Sequence, residues 1–133
     1  MMASIRDDAD LQLNLFGPGV FDPEPIFNHE FYIVEDVERG HAVGFVQLAN
    51  IDKDAGTAMA GACIAPPHQR RGYAHAALTA LHERALELGV RLVRVKIMSA
   101  NTPALLMCEK LGYRQTGSRV RGDINLVLME KEL

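Results

Sequence analysis

Apolar residues in the first half of this chain occur in short segments bounded by turn residues. Residues 31–37 and 41–49 are rich in aromatic and β-branched side chains, and a turn at 38–40 separates them. Two such segments joined by a short turn predict a β-hairpin. A second turn leads into a third segment, Thr57–Ile64, and leucines alternate with polar residues at 11–15. We therefore predict an edge strand at 11–15, followed by three antiparallel strands.

Helical periodicity replaces this pattern in the middle of the chain. Apolar residues between Gly72 and Leu88 recur at intervals of three and four, which predicts an amphipathic helix. Gly89 suits the left-handed position just after such a helix. Residues 91–98 combine β-branched and basic side chains and predict a strand. Because a strand–helix–strand unit of this length makes a right-handed crossover, this strand is predicted to run parallel to Thr57–Ile64.

The last third of the chain predicts a second helix and a final hairpin. Asn101 suits the N-cap of a helix that runs to Leu111. Segments 113–120 and 124–130 follow, joined by a turn at Gly122. The resulting order, β-β-β-β-α-β-α-β-β, predicts a single α/β (α+β) domain over residues 1–133. Its mixed, mostly antiparallel sheet would contain a central parallel pair of strands, with helices packed on it.

The junction between Thr57–Ile64 and the first helix has the composition of an anion-binding loop. Prolines at 66–67 end the strand, because proline cannot donate a hydrogen bond to a β-ladder. The first N–H groups of a helix lack internal acceptors; Arg70 and Arg71 add charge, and Gly72 leaves room for an anion. Neither a Walker loop nor a dinucleotide fingerprint is present. The sequence favours either a pyrophosphate cradle or an ordinary strand-to-helix turn with solvated arginines.

Composition narrows the class of protein. The chain has 133 residues, of which 48% are hydrophobic and 23% charged, as is typical of one soluble globular domain. No apolar run approaches the roughly 18 residues of a membrane span, so we expect no membrane partner. Aspartates near the N-terminus are unlike a signal peptide, which predicts a cytoplasmic protein. Two cysteines, Cys63 and Cys108, are too few for a disulfide scaffold.

Charge is distributed unevenly along the chain. Residues 1–56 carry a net charge of −8 and residues 57–133 carry +5, which together give −3. The basic half suits a polyanionic cofactor and the acidic half suits a cationic amine, although solubility charges spread by chance give the same pattern. The overall acidity argues against nucleic acid as the main partner, because nucleic-acid-binding domains are usually basic.

Two motifs resemble those of the GNAT acyltransferases. Residues 69–74, Gln-Arg-Arg-Gly-Tyr-Ala, resemble the family pattern Gln/Arg-x-x-Gly-x-Gly/Ala, which holds the pyrophosphate of acetyl-coenzyme A. Residues 101–113 resemble the family's Asn-x-x-Ala followed by Tyr-Glu-Lys-Leu-Gly-Phe, with Cys108 in place of the tyrosine. The resemblance covers residues 31–133, and the segment before it is shorter than the two-helix region usual in the family.

The resemblance implies an N-acetyltransferase that uses acetyl-coenzyme A as its acyl donor. It implies that the parallel strands splay at their C-terminal ends and that free backbone groups there pair with the pantetheine arm. Cradle N–H groups would hold the pyrophosphate, and an asparagine would either bond to the arm or cap its own helix. The implied cofactor-binding residues are Cys63, Ile64, Gln69, Arg70, Arg71, Gly72, Tyr73, Ala74, His75 and Asn101.

The sequence departs from the family pattern at the catalytic positions. Cys108 replaces the proton-donating tyrosine and either donates a proton or packs in the core. Thr57–Ile64 contains no carboxylate that could act as a base. The catalytic candidates are Ser99 and Cys108, with Glu35 and His29 as weaker ones. His75 and His82 are predicted to be solvated, and no Cys/His cluster predicts a metal site.

Three functions remain open from the sequence. The first is transfer of an acetyl group to a primary amine by direct attack in a ternary complex, with a small amine, an amino acid or a protein N-terminus as acceptor. The second is a non-catalytic sensor or scaffold that binds coenzyme A. The third is a phosphate-binding interaction domain. The short N-terminal segment leaves one sheet edge thinly covered, so we expect a homodimer that buries it.

Overall fold

A computed structural model describes residues 3–6, 28–36, 40–69 and 71–133. These residues form a seven-stranded sheet with helices packed on it. The strands are β1 (Ala3–Arg6), β2 (Glu30–Asp36), β3 (His41–Asp52), β4 (Thr57–Ile64), β5 (Leu92–Met98), β6 (Arg114–Arg121) and β7 (Ile124–Glu132). The helices are α1 (Tyr73–Glu87) and α2 (Thr102–Lys110), and a 3₁₀ turn, Pro66–His68, precedes α1.

The strands lie in the order β1-β2-β3-β4-β5-β7-β6. Every neighbouring pair is antiparallel except β4 and β5, which run parallel. α1 connects these two strands, because a parallel pair cannot be joined by a tight turn. The predicted fold class is thus confirmed: a mixed, mostly antiparallel sheet with a central parallel pair and helices packed on it.

The two helices begin where their sequence signals predict. Gly72 stands at the N-cap of α1 with a φ of 83°, a conformation that costs glycine little because it has no Cβ. The side-chain oxygen of Asn101 accepts a hydrogen bond from the Ala104 N–H at 3.3 Å and so caps α2. The buried residues of α1 recur at helical spacing and are Tyr73, Ala77, Leu78, Leu81, His82 and Ala85.

The main hydrophobic core lies between one face of the sheet and both helices. Side chains of β4 alternate between this face and the opposite one, as in any strand. Ile64 therefore packs in the main core, whereas Cys63 packs against a smaller cluster on the opposite face. In that cluster, Phe31 and Phe45 stack with ring centroids 4.8 Å apart. Adjacent residues at the end of β4 thus contribute to different cores.

The structure differs from the sequence predictions at three points, and a fourth prediction is not tested because it falls outside the described residues. β3 extends to Asp52 rather than ending at residue 49, because it continues to pair with β4 through Asp52 and Thr57. β1 has no distinctive pattern of its own and is a strand because it pairs with β2. The predicted strand at 11–15 lies outside the described residues. His82 was wrongly predicted to be solvated: it is 8% exposed, because it lies on the apolar face of α1.

Candidate functional site

The parallel strands β4 and β5 separate toward their C-terminal ends. They pair only through residues 57–59 and 92–94. Beyond this point β4 stays paired with β3 as far as Ile64, and β5 stays paired with β7 as far as Met98. A strand gap therefore opens between residues 60–64 of β4 and 95–98 of β5. Open α/β sheets bind ligands in such crevices, at the C-terminal ends of their strands.

One hydrogen bond assigns the backbone groups of β4 to its two edges. The Ala65 N–H donates to the Val43 carbonyl at 2.8 Å, so Ala65 faces β3. Successive residues of a strand direct their N–H and C=O groups to opposite edges, so Cys63 also faces β3. The predicted pairing of the Cys63 backbone with a ligand arm therefore does not match this geometry. The β4 residues whose backbone groups face the strand gap are Ala60, Ala62 and Ile64.

Ile64 lies on the strand gap as predicted, but its carbonyl is already engaged. The Gln69 side-chain amide donates to this carbonyl at 3.0 Å. Gln69 therefore acts on the strand end rather than reaching outward. The Ile64 N–H still faces the gap, together with the backbone groups of Ala60 and Ala62.

Gly44 of β3 allows β3 and β4 to approach closely at the same position. A Cβ on Gly44 would lie 2.1 Å from the Cys63 carbonyl oxygen and 2.8 Å from the Ile64 Cα. Both distances are far below van der Waals contact, so a larger residue would displace β4. Gly44 thus helps to set where β4 ends.

The segment between β4 and α1, which we call the cradle loop (residues 65–72), presents polar groups outward. Arg71 and Gly72 are exposed, as is His75 in the first turn of α1, while Ala74 is half-buried. Gly72 has no side chain that could cap the helix, so the cap position does not compete with a ligand for first-turn N–H groups. The predicted residues 71–75 therefore lie together at the start of α1. Arg70 lies outside the described residues.

Tyr73 differs from its neighbours because it is buried. It is 4% exposed, and its hydroxyl donates to the Asp36 carboxylate at 2.5 Å. The His68 imidazole packs edge-on against the Tyr73 ring, with centroids 6.3 Å apart. The sequence did not single out Asp36, because an acidic residue at the end of a strand is a common feature. Nothing in the local sequence links it to a tyrosine 37 positions later.

Ser99 and Asn101 lie just after β5, at the same edge of the sheet as the cradle loop. Ser99 is exposed, and its N–H donates to the Asn125 carbonyl at 2.8 Å, which ties it to β7. Asn101 is also exposed and caps α2, which is one of its two predicted roles. Both residues stand at the mouth of the strand gap.

Cys108 is buried on the face of α2 that packs against the sheet. It is 2% exposed, and burial raises the pKa of its thiol to about 11. The pKa of an ordinary thiol is about 8.5, so proton transfer from Cys108 to a coenzyme A thiolate would be uphill. This geometry supports the alternative that Cys108 packs in the core.

A buried hydrogen bond joins α1 to the segment after α2. His82 Nε2 and the Tyr113 hydroxyl lie 2.7 Å apart. Burial, with a smaller contribution from the charge of Lys131, lowers the pKa of His82 to about 4. Burial also raises the pKa of the Tyr113 hydroxyl, so both groups are neutral at pH 7. The pair connects α1 to the segment after α2 within the core.

The weaker catalytic candidates lie away from the strand gap. Glu35 is on β2, opposite Ser4 of β1, and β3 separates it from β4. His29 lines an open cleft of about 800 Å³ that also includes Glu30 and Thr57. Thr57 begins β4, so this cleft is at the end of the strand opposite to the cradle loop. Neither residue is placed to act on a group held in the strand gap.

Two negative findings concern only the part of the chain that the structure describes. In that part, no group of three or more His, Cys, Asp or Glu side chains is arranged to hold a metal ion. None of its helices is long and apolar enough to cross a membrane. The gap and the cradle loop bring backbone groups to the same end of the sheet as the side chains of Gln69, Arg71, Ser99 and Asn101.

Comparison with known proteins identifies the family. Residues 4–113 match the sequence model of the Acetyltransferase (GNAT) family, which is more than half of the chain. The chain therefore belongs to this family, and the resemblance drawn from residues 69–74 and 101–113 is confirmed. A search among curated proteins gave no match.

Solved structures share the fold at low sequence identity. A variant of the spermidine N-acetyltransferase SpeG from Vibrio cholerae is 21% identical, with a TM-score of 0.72 over 78% of this chain and 65% of that chain. The same enzyme in complex with CoA and spermine is 21% identical, with a TM-score of 0.71 over 78% of this chain and 65% of that chain. The Salmonella typhimurium protein yncA, solved with its cofactor acetyl-CoA, is 20% identical, with a TM-score of 0.69 over 80% of this chain and 65% of that chain. This chain thus spans less than two thirds of the length of each, and the likeness establishes the fold.

Proposed function

We propose that this protein is an N-acetyltransferase that moves the acetyl group of acetyl-CoA to a primary amine by direct attack in a ternary complex. The observation that carries this proposal is the strand gap, which opens beside the glycine-capped start of α1. The gap suits an extended, amide-bearing arm, and the helix start suits the pyrophosphate to which that arm is joined. Family membership and the relatives with CoA or acetyl-CoA bound support the same donor.

The pantetheine arm would lie in the strand gap as a short additional strand. Ala60 and Ala62 offer both N–H and C=O groups to it, and Ile64 offers its N–H. Cys63 would contribute indirectly, by pairing with β3 and holding this edge in place. Asn101, at the mouth of the gap, would brace the arm where it leaves the sheet.

The pyrophosphate would bind the N–H groups of residues 71–75. Arg70 and Arg71 would supply positive charge, and the helix dipole adds to it. Gly72 would let the anion approach the backbone, because no Cβ stands in the way. Gln69 would hold the end of β4 from the side of the strand gap, through its hydrogen bond to the Ile64 carbonyl.

The chemistry requires a neutral amine and a polarised thioester. The amine nitrogen would attack the thioester carbonyl, and the tetrahedral intermediate would collapse with cleavage of the C–S bond. The proton lost by the nitrogen would pass through water to the leaving thiolate. A thiolate with a pKa of about 8.5 leaves without an obligatory acid, which suits a site where Cys108 is a poor donor. Ser99 is our candidate for orienting the amine or the water.

The acceptor would be a small amine, an amino acid or a protein N-terminus. The relatives include spermidine N-acetyltransferases, one of them solved with spermine, which favours a small cationic amine. The net charge of −8 on residues 1–56 would attract such a molecule. A homodimer remains our proposal for the assembly, although one related structure is a dodecamer.

A non-catalytic sensor of coenzyme A is the second candidate. Two observations favour it: Cys108 replaces the tyrosine and is buried, and β4 contains no carboxylate. Both candidates predict coenzyme A binding, but only the enzyme releases free thiol from acetyl-CoA in the presence of an amine. A panel of small amines, amino acids and short peptides with thiol detection therefore separates them.

The first experiment is thermal unfolding with and without acetyl-CoA. A ligand at 100 times its dissociation constant stabilises the native state by about 2.7 kcal/mol, so the wild-type unfolding temperature should rise by several degrees. The double variant Arg71→Glu/Gly72→Asp should show no such rise, and Arg91→Glu is the control for charge reversal away from the cradle loop. If millimolar acetyl-CoA did not raise the unfolding temperature of the wild type, the proposal that acetyl-CoA is the acyl donor would be wrong. If ATP competed with coenzyme A for binding as effectively as coenzyme A itself, the protein would be a general phosphate-binding domain.

A further inference from the structure

The hydrogen bond between Tyr73 and Asp36 joins two distant segments of the chain. Tyr73 is the first residue of α1 and Asp36 is the last residue of β2. Both residues are almost fully buried, at 4% and 5% exposure. A buried carboxylate destabilises a fold unless hydrogen bonds satisfy it, and bonds to ionised groups are stronger than neutral ones. The bond therefore restricts where Tyr73 can lie.

Two side-chain hydrogen bonds anchor the chain on either side of Gly72. On the side of the strand gap, the Gln69 side chain bonds to the Ile64 carbonyl at 3.0 Å. On the buried side, the Tyr73 hydroxyl at the first turn of α1 bonds to Asp36. Between these anchors lies Gly72, a residue type with more backbone freedom than any other. The orientation of the first turn thus depends on what holds Tyr73.

We propose that the Tyr73–Asp36 hydrogen bond holds the first turn of α1 in its ligand-binding orientation before coenzyme A arrives, which makes both residues positioning residues for coenzyme A affinity. This inference rests on the proposed function, because it assigns the cradle to the pyrophosphate. A site that is ordered in advance binds more tightly, since binding does not have to order it. If one molecule in about ten held the first turn correctly, the apparent dissociation constant would rise about tenfold.

Tyr73→Phe tests the inference most directly. It removes the hydroxyl and keeps the ring that packs against His68. We expect the dissociation constant of coenzyme A, measured by calorimetry, to rise at least about tenfold. The KM for acetyl-CoA should rise by a similar factor, and kcat at saturating donor should change by less than about twofold, because the bound complex is the same. A fall in kcat at unchanged KM would overturn the inference.

Tyr113→Phe is the matched control. It removes another buried tyrosine hydroxyl, which lies 2.7 Å from Nε2 of His82 on α1, the helix that also carries Tyr73. This hydroxyl lies away from the cradle loop. We expect it to lower the unfolding temperature and to change coenzyme A affinity by less than about twofold. If both tyrosine variants weakened binding equally, the effect would be general destabilisation and the inference would be wrong.

Asp36 provides a second pair of variants, which also decides the matter if Tyr73→Phe does not fold. Asp36→Asn keeps an oxygen that accepts from Tyr73, so coenzyme A affinity should fall by less than about threefold. Asp36→Ala removes the acceptor, and affinity should fall at least about tenfold. Equal affinity in these two variants would overturn the inference. A wild-type protein that binds no coenzyme A would overturn the proposed function as well, whereas equal binding by wild type and Tyr73→Phe would overturn the inference alone.

Discussion

The two ends of α1 differ in how their polar groups are satisfied. At the N-terminal end, Gly72 has no capping side chain, and Arg71 and His75 are exposed. At the C-terminal end, the Arg84 guanidinium donates to both carboxylate oxygens of Glu30, at 2.8 and 2.9 Å. This bidentate pair fastens the end of α1 to the start of β2.

The backbone groups show the same contrast. After α1, the Val90 N–H donates to the Ala85 carbonyl at 2.9 Å, and the Leu88 N–H donates to the Arg84 carbonyl at 3.1 Å. These bonds use carbonyls that a helix end otherwise leaves without partners. The N-terminal end is held from beneath by Tyr73, and the helix dipole makes it attractive to anions. Changes near the C-terminal end should therefore affect stability alone, and changes near the N-terminal end should also affect binding.

The largest expected effect concerns His82, in the C-terminal half of α1. Its pKa is lowered to about 4, from 6.5 in the unfolded chain, so the unfolded state takes up a proton first as the pH falls. Stability from neutral His82 is present above pH 6.5 and is lost on acidification to about pH 4, by roughly 3 kcal/mol. His82→Gln should remove this part of the pH dependence, as measured by urea unfolding between pH 7.5 and 4.

His75→Gln is the control for this measurement, because His75 is exposed on the same helix. Its unfolding free energy should follow the wild-type pH dependence. A wild-type curve parallel to that of His82→Gln would mean that His82 titrates normally and is not held neutral by burial. Coenzyme A affinity at pH 7.5 should be unchanged in His82→Gln, since His82 is buried in the C-terminal half of α1, away from the cradle loop.

Gly44→Ala should affect both stability and binding, because it acts on the side of the molecule that carries the cradle loop. The added Cβ would meet the Cys63 carbonyl oxygen at 2.1 Å, and overpacking of this kind costs about 2 kcal/mol. Displacement of the end of β4 should also weaken coenzyme A binding in calorimetry. Gly117→Ala is the control, since its Cβ would make an ordinary 3.7 Å contact with Leu128. If Gly44→Ala folded and bound coenzyme A with unchanged affinity, the position of the end of β4 would not determine the position of the cradle loop.

Glu30→Gln should reduce stability less than Gly44→Ala and leave binding unchanged. Hydrogen bonding to Arg84 is the main cause that lowers the pKa of Glu30 below 4.5, and burial opposes it. A lowered carboxyl pKa adds stability above the unfolded value, and this stability is lost as the pH falls from 4.5 through the lowered pKa. The difference between wild type and variant should be largest near pH 7 and should shrink in high salt. Weaker coenzyme A binding in this variant would contradict the division between the two helix ends.

Cys108→Ala should have the smallest effect on activity. The thiol is buried and holds its proton, with a pKa raised to about 11, so we expect kcat in a thiol-release assay to fall by less than about threefold. A modest loss of stability should accompany the missing sulfur atom. A fall in kcat of tenfold or more, with the protein still folded, would instead identify Cys108 as the proton donor.

Much of the fold follows from signals that lie close together in the sequence. Prolines at 66–67 end β4, Gly72 begins α1 and Asn101 begins α2. The predicted helix over residues 72–88 became Tyr73–Glu87, because helix ends depend on nearby residues. β1 could not be predicted in this way, since four residues become a strand only when β2 offers hydrogen bonds.

Some features of the candidate site likewise follow from the local sequence, and others depend on tertiary contacts. The sequence alone located the cradle loop and the two strands that border the gap, because proline, glycine and helical periodicity act on neighbouring residues. Only the tertiary structure decided that Tyr73 bonds to Asp36 and that Gln69 bonds to the Ile64 carbonyl. It also decided that the Cys108 thiol has a raised pKa. These properties depend on which distant groups come into contact and on how completely packing removes water, and neither is encoded in a local pattern.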